Sequence, residues 1–201
     1  TIPLREGSYT IYATRGFEYG VDSIKIDAKA GGQTSAILQI QQEVSTPGMV
    51  SSDTHIHTYT FSGHGDATAN ERLITIAGEH IEMPVATDHN VHADFRSTLA
   101  NSKAKDYFSL VNGIEFTTKV GHFNLLPTII DSPVPEHRVS TWEEVIKNIG
   151  SDKNVKVAIF NHPRDNHSGF IPFAPSQHLA QAGWNKNGWI IPGNAMEIIN
   201  S

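Results

Sequence analysis

Residues 53–58 read Asp53-Thr54-His55-Ile56-His57-Thr58, and the reading of this pair of histidines decides the reading of the rest. In an extended strand successive side chains point to opposite faces. His55 and His57 therefore share one face with Asp53, while Ile56 takes the other. Two imidazoles about 6–7 Å apart along a strand can close on a single metal ion. Neutral imidazole suits zinc, iron, copper or nickel. Asp53 is then either a further ligand or a partner that orients an imidazole N–H. The bland alternative is two surface histidines on an edge strand, and residues further along the chain weigh against it.

Those residues recur at the ends of expected strands. Pro84-Val85-Ala86-Thr87-Asp88-His89-Asn90 is a short apolar run closing on an acid and an imidazole. Residues 110–116 form a further expected strand, with Glu115 at its end, and residues 121–127 another, with His122 and Asn124 on one face. Residues 155–160 are β-branched and apolar, and run into Asn161-His162-Pro163-Arg164. His55/His57, Asp88/His89, Glu115, His122 and His162 thus stand at five successive strand ends. Parallel α/β folds gather the C-terminal ends of their strands on one rim, so these groups are expected to converge there. Imidazoles crowded without a cation repel one another when protonated and leave nitrogens unsatisfied when buried. Divalent ions resolve both problems.

Between these strands the chain alternates loops and helices. A glycine-flanked loop, Ser62-Gly63-His64-Gly65-Asp66, is suited to aiming His64 inward. Thr68 and Glu71 make a capping box ahead of a stripe formed by Leu73, Ile76, Ala77 and His80. His80 is read as a helix-end residue near the last carbonyls. Residues 94–108 have helical composition. Thr141 and Glu144 cap a second helix that runs to Ile149 and closes at Gly150. A short helix is expected near residues 176–182 and a sixth strand over 195–200. His92, His137, His167 and His178 are read as exposed or hydrogen-bonded loop residues, and Asn166-His167-Ser168 is a glycosylation triplet by letter only.

Residues 1–48 differ in character, containing no histidine. Residues 8–14, 21–28 and 36–41 read as three strands, and the segment as the tail of an antiparallel β module. Pro47-Gly48 marks its boundary with a second unit over 49–201.

Composition narrows the function classes. The chain has 201 residues and no cysteine, which removes disulfides, thiolate metal sites and cysteine nucleophiles together. With 15 Lys and Arg against 21 Asp and Glu, the net charge is -6, and no basic block offers a nucleic-acid footprint. No apolar run is long enough to span a membrane, so neither nucleic acid nor membrane is an expected partner. No signal peptide is visible, and a periplasmic or secreted setting remains open. There is no His-Glu-x-x-His helix, phosphate loop or Gly-x-Ser-x-Gly elbow.

In chain order, Asp53-Thr54-His55-Ile56-His57-Thr58, Ala86-Thr87-Asp88-His89-Asn90, Gly113-Ile114-Glu115, Gly121-His122-Phe123 and Asn161-His162-Pro163 resemble the motif series of the PHP (polymerase and histidinol phosphatase) superfamily. The Ser62–Asp66 loop is similar to that of its carbaryl-hydrolase-like branch. The resemblance spans about residue 50 to 201. It implies a distorted (β/α)7, TIM-like barrel with two to three divalent ions (zinc, manganese or iron) at the strand ends. By that resemblance, His55, His57 and Glu115 would bind a first ion. Glu115 would bridge to a second ion held by His122 and His162, and His64 with His89 would bind a third. Asp53 and Asp88 would orient imidazoles, and Arg164 would grip an anionic substrate, because a guanidinium matches phosphate or carboxylate geometry.

The family's motif series closes on an Asp-x-His pair, and none follows residue 165; Asp165-Asn166-His167 lies too near His162 to be a separate strand end. The expected fold is therefore an incomplete PHP-like barrel over 49–201, truncated at its C-terminus, with the parent protein continuing past Ser201. The expected activity is metal-dependent hydrolysis of a small anionic or ester substrate (phosphoester, carboxyl ester or carbamate), with a hydroxide bridging two ions as nucleophile. The alternative is a non-catalytic metal-binding module with a structural or carbohydrate-attachment role.

Overall fold

The structure, a computed structural model, describes residues 1–164, 170–190 and 193–198. Strands β1 (Gly7–Ala13) and β2 (Asp22–Ala28) pair antiparallel from Gly7↔Ala28 to Ala13↔Asp22. Residues 36–41, expected as a third strand, run extended without joining the hairpin as a ladder. Their backbone contacts include Gln39 N–H to the Asp22 carboxylate (2.7 Å) and Gly20 N–H to Gln41 O (2.9 Å), beside a single bridge, Tyr19↔Gln42, just beyond. Alternation alone does not make a strand when no sheet edge lies alongside to satisfy its backbone. Residues 1–48 contribute nothing to the hydrophobic clusters of the described chain. They touch the remainder through a few polar and aromatic contacts: His80 packs edge-on against Tyr19, and its Nδ1 lies 3.5 Å from Glu18.

Beyond residue 49 the structure is mixed α/β. Residues 53–57 make one parallel bridge, Ile56↔Ala86, supported by Val85 N–H to Asp53 O (2.8 Å) and Thr87 N–H to Ile56 O (3.1 Å). The expected loop after it begins with a helical turn, α1 (Tyr59–Ser62), capped by Thr58 and closed by Gly63 at φ 73°. The capping box of Thr68 and Glu71 opens α2 (Ala69–Gly78), which buries Leu73 and Ile76. Then come β3 (Val85–Ala86), α3 (Arg96–Asn101), β4 (Val111–Asn112), β5 (Ile114–Thr118) and β6 (Gly121–Leu126). The helical composition of residues 94–108 yields only the six residues of α3. Helix α4 (Trp142–Ser151) opens on the Thr141 and Glu144 box, and β7 (Val157–Phe160) follows. Where a helix was expected near 176–182, a small hairpin forms from β8 (His178–Leu179) and β9 (Trp184–Asn185). Strand β10 (Ala195–Met196) is the last element among the described residues, and residues 199–200 of the expected sixth strand lie outside them.

The sheet that positions the site has the order β10-β7-β6-β5. Strand β6 runs antiparallel to both neighbours, and only β10 and β7 are parallel. This corrects the expectation that all ligand-bearing strands run the same way. The cause is local: Lys119 and Val120 alone link β5 to β6, and so short a connection can join only antiparallel strands. Gly121 starts β6 at φ 118°, in space where a Cβ would sit 3.2 Å from the rings of Phe123 and Phe160.

Period-2 alternation then sorts the sheet into two chemistries. One face carries Ile114, Phe116, Phe123, Leu125, Ala158 and Phe160 against α4, whose Trp142, Val145 and Ile149 lie on one stripe. Burial of each large side chain there stabilises the fold by roughly 1.5–3 kcal/mol. The other face carries Glu115, Thr117, His122 and Asn124, paired across strands as Glu115↔Asn124 and Thr117↔His122. Asn161 extends that face, its N–H donating to His122 O (3.0 Å).

Candidate metal centre

Glu115 is fully buried at the centre of the polar face. Its Oε1 lies 3.1 Å from His122 Nδ1, 3.4 Å from His162 Nε2 and 3.5 Å from His55 Nε2. Its Oε2 lies 2.5 Å from His89 Nδ1 and 3.3 Å from His57 Nε2, with no donor in hydrogen-bond alignment. Five imidazoles from four stretches of the chain thus meet one carboxylate. His64 completes the cluster from its exposed loop, its ring 4.7 Å from that of His89 and 5.4 Å from that of His57.

Two groups of ligand atoms each converge within 4.8 Å: His55, Glu115 and His162, and His57, His89 and Glu115. The partition differs from the expected one, in which His55 and His57 shared an ion. Their Nε2 atoms lie 3.1 Å apart, but each imidazole faces a different oxygen of Glu115. His-x-His parity puts both rings on one face; the position of the carboxylate between them sends them to separate groups.

His55, His57 and His89 are each aimed by identifiable local structure. Thr87 Oγ1 accepts the Ile56 N–H (2.7 Å), and Asn124 Nδ2 donates to Thr54 O (2.8 Å), fixing the backbone around His55. Arg72 reaches from α2, donating through Nε to His57 O (3.2 Å) while pairing with Asp66. Asn90 sits at φ 49°, a left-handed conformation that Asn tolerates, and its amide exchanges hydrogen bonds with the Thr117 backbone (both 2.9 Å). The adjacent His89 is thereby held over β5, its Nδ1 2.7 Å from Thr117 Oγ1.

The remaining expected residues fall in several places. Asp53 is exposed, and its carboxylate accepts the His55 backbone N–H (3.0 Å) rather than an imidazole hydrogen. Asp88 is fully buried, and its Oδ1 accepts from Thr58 N–H (2.7 Å), Thr58 Oγ1 (3.1 Å) and Ser62 Oγ (2.6 Å). It holds the α1 turn, so its contact to the imidazoles runs through the backbone and not through a ring N–H. Arg164 is exposed and makes no ion pair among the described residues. His92 is buried against Ser132 (3.3 Å), and His178 packs edge-on against Phe173. His137 is half-buried, whereas His167 and the Asn166-His167-Ser168 triplet lie outside the described residues. The His80 backbone N–H meets Ala77 O (3.3 Å) just past α2, while its imidazole turns to Tyr19 and Glu18 rather than to the helix's last carbonyls.

Two residues absent from the expected site have direct roles in its geometry. Asn161 Nδ2 donates to Glu115 Oε1 (3.1 Å) and to Asn124 Oδ1 (2.9 Å). Glu197 follows β10, and its Oε1 lies 2.5 Å from His55 Nδ1. The signal for both was strand parity, since each has the parity that β7 or β10 turns toward His122.

The electrostatics follow from crowding. Burial pushes the Glu115 carboxyl up, but contacts with His122, His162, His55 and His89 outweigh it and hold the group well below the usual carboxylate range. Burial likewise lowers His55, yet its bonds to Glu115 and Glu197 prevail and raise it to about 9. Burial dominates at His57; despite the attraction of Glu115, and helped by the neighbouring imidazoles His89, His55 and His64, it lowers that ring to about 3.

The donor set fits divalent cations. Ligands on a tetrahedral ion with 2.0–2.1 Å bonds stand about 3.3–3.4 Å apart, close to most of the nitrogen–oxygen separations around Glu115. The unaligned Oε2 and the partnerless buried His57 Nδ1 are polar atoms that the protein alone leaves unsatisfied. Nitrogen and carboxylate ligands without sulfur suit zinc, manganese or iron. A cleft of about 560 Å³ opens beside the cluster, lined by His55, His57, His64, Arg72 and the fully exposed Phe17 among others.

No family model and no curated protein matches the chain. Among solved structures it is similar to a two-domain protein from Bacteroides vulgatus ATCC 8482 described as containing a predicted PHP-like metal-dependent phosphoesterase. The identity is 15%, the TM-score 0.44, and the match covers 63% of this chain and 39% of that one. No helix among the described residues is long and apolar enough to cross a membrane.

Proposed function

We propose that the chain is a PHP-type metal-dependent hydrolase unit, of the carbaryl-hydrolase-like branch, acting on a small phosphoester, carboxyl ester or carbamate. The observation that carries this reading is the buried Glu115, each of whose oxygens faces its own set of imidazoles. Residues 49–201 would form an incomplete distorted (β/α)7 barrel, with residues 1–48 as the tail of a preceding β module. His55 and His162 would hold one ion with Glu115, and His57 and His89 a second. His122 stands beside the first group and His64 beside the second. Divalent ions bound there would supply Lewis acidity, generating a nucleophile from water near neutral pH and stabilising charge on the attacked group.

The chain's own residues account for the rest. Glu115, held well below the usual carboxylate range by the surrounding imidazoles, is ionised near neutral pH and offers one oxygen to each group. His57 is neutral at pH 7, and its Nε2 lies 3.3 Å from Glu115 Oε2. Arg164, exposed just after His162, is the cation for an anionic substrate.

Elemental analysis of the purified protein, followed by a panel of phosphate esters, carboxyl esters and carbamates, tests the reading. Bound divalent metal and turnover that disappears on chelation are expected. Stoichiometric metal with no turnover on any ester would instead mark a non-catalytic metal-binding module. Turnover surviving complete metal removal would overturn the proposal.

A further inference from the structure

We propose that Glu197 is a positioning residue that assembles one half of the metal centre and leaves the other half alone. This rests on reading the cluster as a metal centre. Glu197 reaches two ligands of the same group through different oxygens. Its Oε1 lies 2.5 Å from His55 Nδ1, and its Oε2 accepts the backbone N–H of His162 (2.6 Å). Both contacts use atoms other than the Nε2 atoms that face Glu115. A proton on His55 Nδ1, donated to Glu197, leaves Nε2 as the atom facing Glu115 Oε1. At His162 the backbone adopts φ 29°, a left-handed conformation unfavourable for a residue with a Cβ. The bond to Glu197 holds that turn, and the turn directs the imidazole inward to 3.4 Å from Glu115 Oε1.

The placement is built from the sheet. Ala195 and Met196 pair with Ile159 and Phe160 in parallel, and the Glu197 N–H donates to Phe160 O (3.0 Å). Glu197 is thereby registered beside Asn161 and His162. In the second group no such carboxylate appears among the described residues: His57 Nδ1 has no partner there, and His89 Nδ1 meets Thr117 Oγ1 and Glu115. The effect of Glu197 is therefore confined to the His55, Glu115 and His162 group.

Glu197→Gln tests this, because an amide can accept at only one of the two contacts. Zn²⁺ affinity is measured by competition with a chromophoric chelator, in wild type and in two backgrounds that isolate the groups, His57→Ala and His162→Ala. Glu197→Gln is expected to weaken the remaining site about 10–100-fold in the His57→Ala background. In the His162→Ala background it is expected to change affinity by less than about twofold, the span of an unperturbed site. Glu197→Asp retains two acceptors on a shorter stem and should fall between Gln and wild type. It also serves as the second variant if the amide impairs folding. Equal weakening in both backgrounds, or none in either, overturns the proposal. Wild-type protein that binds no Zn²⁺ at all would instead overturn the metal-centre reading beneath it.

Discussion

The side-chain amide of Asn161 lies 3.1 Å from Glu115 Oε1 and 2.9 Å from Asn124 Oδ1, so a neutral donor from β7's end braces the carboxylate shared by both candidate metal-binding groups. All three side chains are buried. A carboxylate in such a place has no water to fall back on, and its direction depends on this amide.

Asn161→Leu removes that donor without opening a large void. Leaving Asn124 Oδ1 and one side of Glu115 unpaired should cost about 1–3 kcal/mol in the metal-free protein, read by urea denaturation with chelator present. Metal affinity should fall roughly 10-fold or more, because the bridging ligand loses its orientation. Unchanged affinity would show that the imidazoles alone orient Glu115.

His122→Ala and His162→Ala are expected to abolish hydrolysis while the far-UV circular dichroism spectrum stays that of the wild type. The His122 ring projects from the polar face of the sheet and the His162 ring from the turn beyond β7, and the hydrophobic clusters contain neither. Retained turnover in either variant would count against its imidazole as a ligand.

Opposite pKa shifts at His55 and His57 make a signed pH prediction for metal-free protein. His55 is raised from 6.5 to about 9, so its contribution is fully present below pH 6.5 and is lost as the pH rises through 9. His57 is lowered from 6.5 to about 3, so its contribution is present above pH 6.5 and is lost as the pH falls toward 3. Together the pair favours maximal stability near pH 6.5. Urea midpoints from pH 4 to 9 in chelator should show that maximum, and a midpoint rising steadily from pH 6.5 to 9 would contradict it.

The same protons couple to metal uptake. Loading the group containing His55 at pH 7 should release about one proton from that residue, because a ligand must give up its proton to bind. Loading at His57 should release none from that ring. Calorimetric titration in buffers of different ionisation enthalpy counts the protons directly.

Gly121→Ala is expected to destabilise the sheet by about 1–3 kcal/mol, through strain at φ 118° and contact with Phe123 and Phe160 at 3.2 Å. The urea midpoint in chelator reads this effect without involving the metal groups.

Local chemistry made much of this protein legible in advance. Thr68 with Glu71 and Thr141 with Glu144 start their helices where a capping box should, because the bonds involved span only three residues. Alternation put His55 with His57, and His122 with Asn124, on common faces. Other expectations failed for equally physical reasons. The two-residue link at Lys119 and Val120 forces β6 antiparallel, a constraint easily passed over when each strand is read singly. Residues 36–41 alternate like a strand but find no edge to join.

The amino-acid sequence by itself determined the roster of candidate ligands, imidazoles and one carboxylate without sulfur, and the face that Glu115 and His122 would occupy on their strands, since side-chain direction within a strand is set by neighbours in the chain. Only the tertiary structure decided which imidazole faces which oxygen of Glu115, and that Asn161 and Glu197 stand behind them. Those relations depend on the register between strands distant in sequence, and register is settled by packing across the whole sheet.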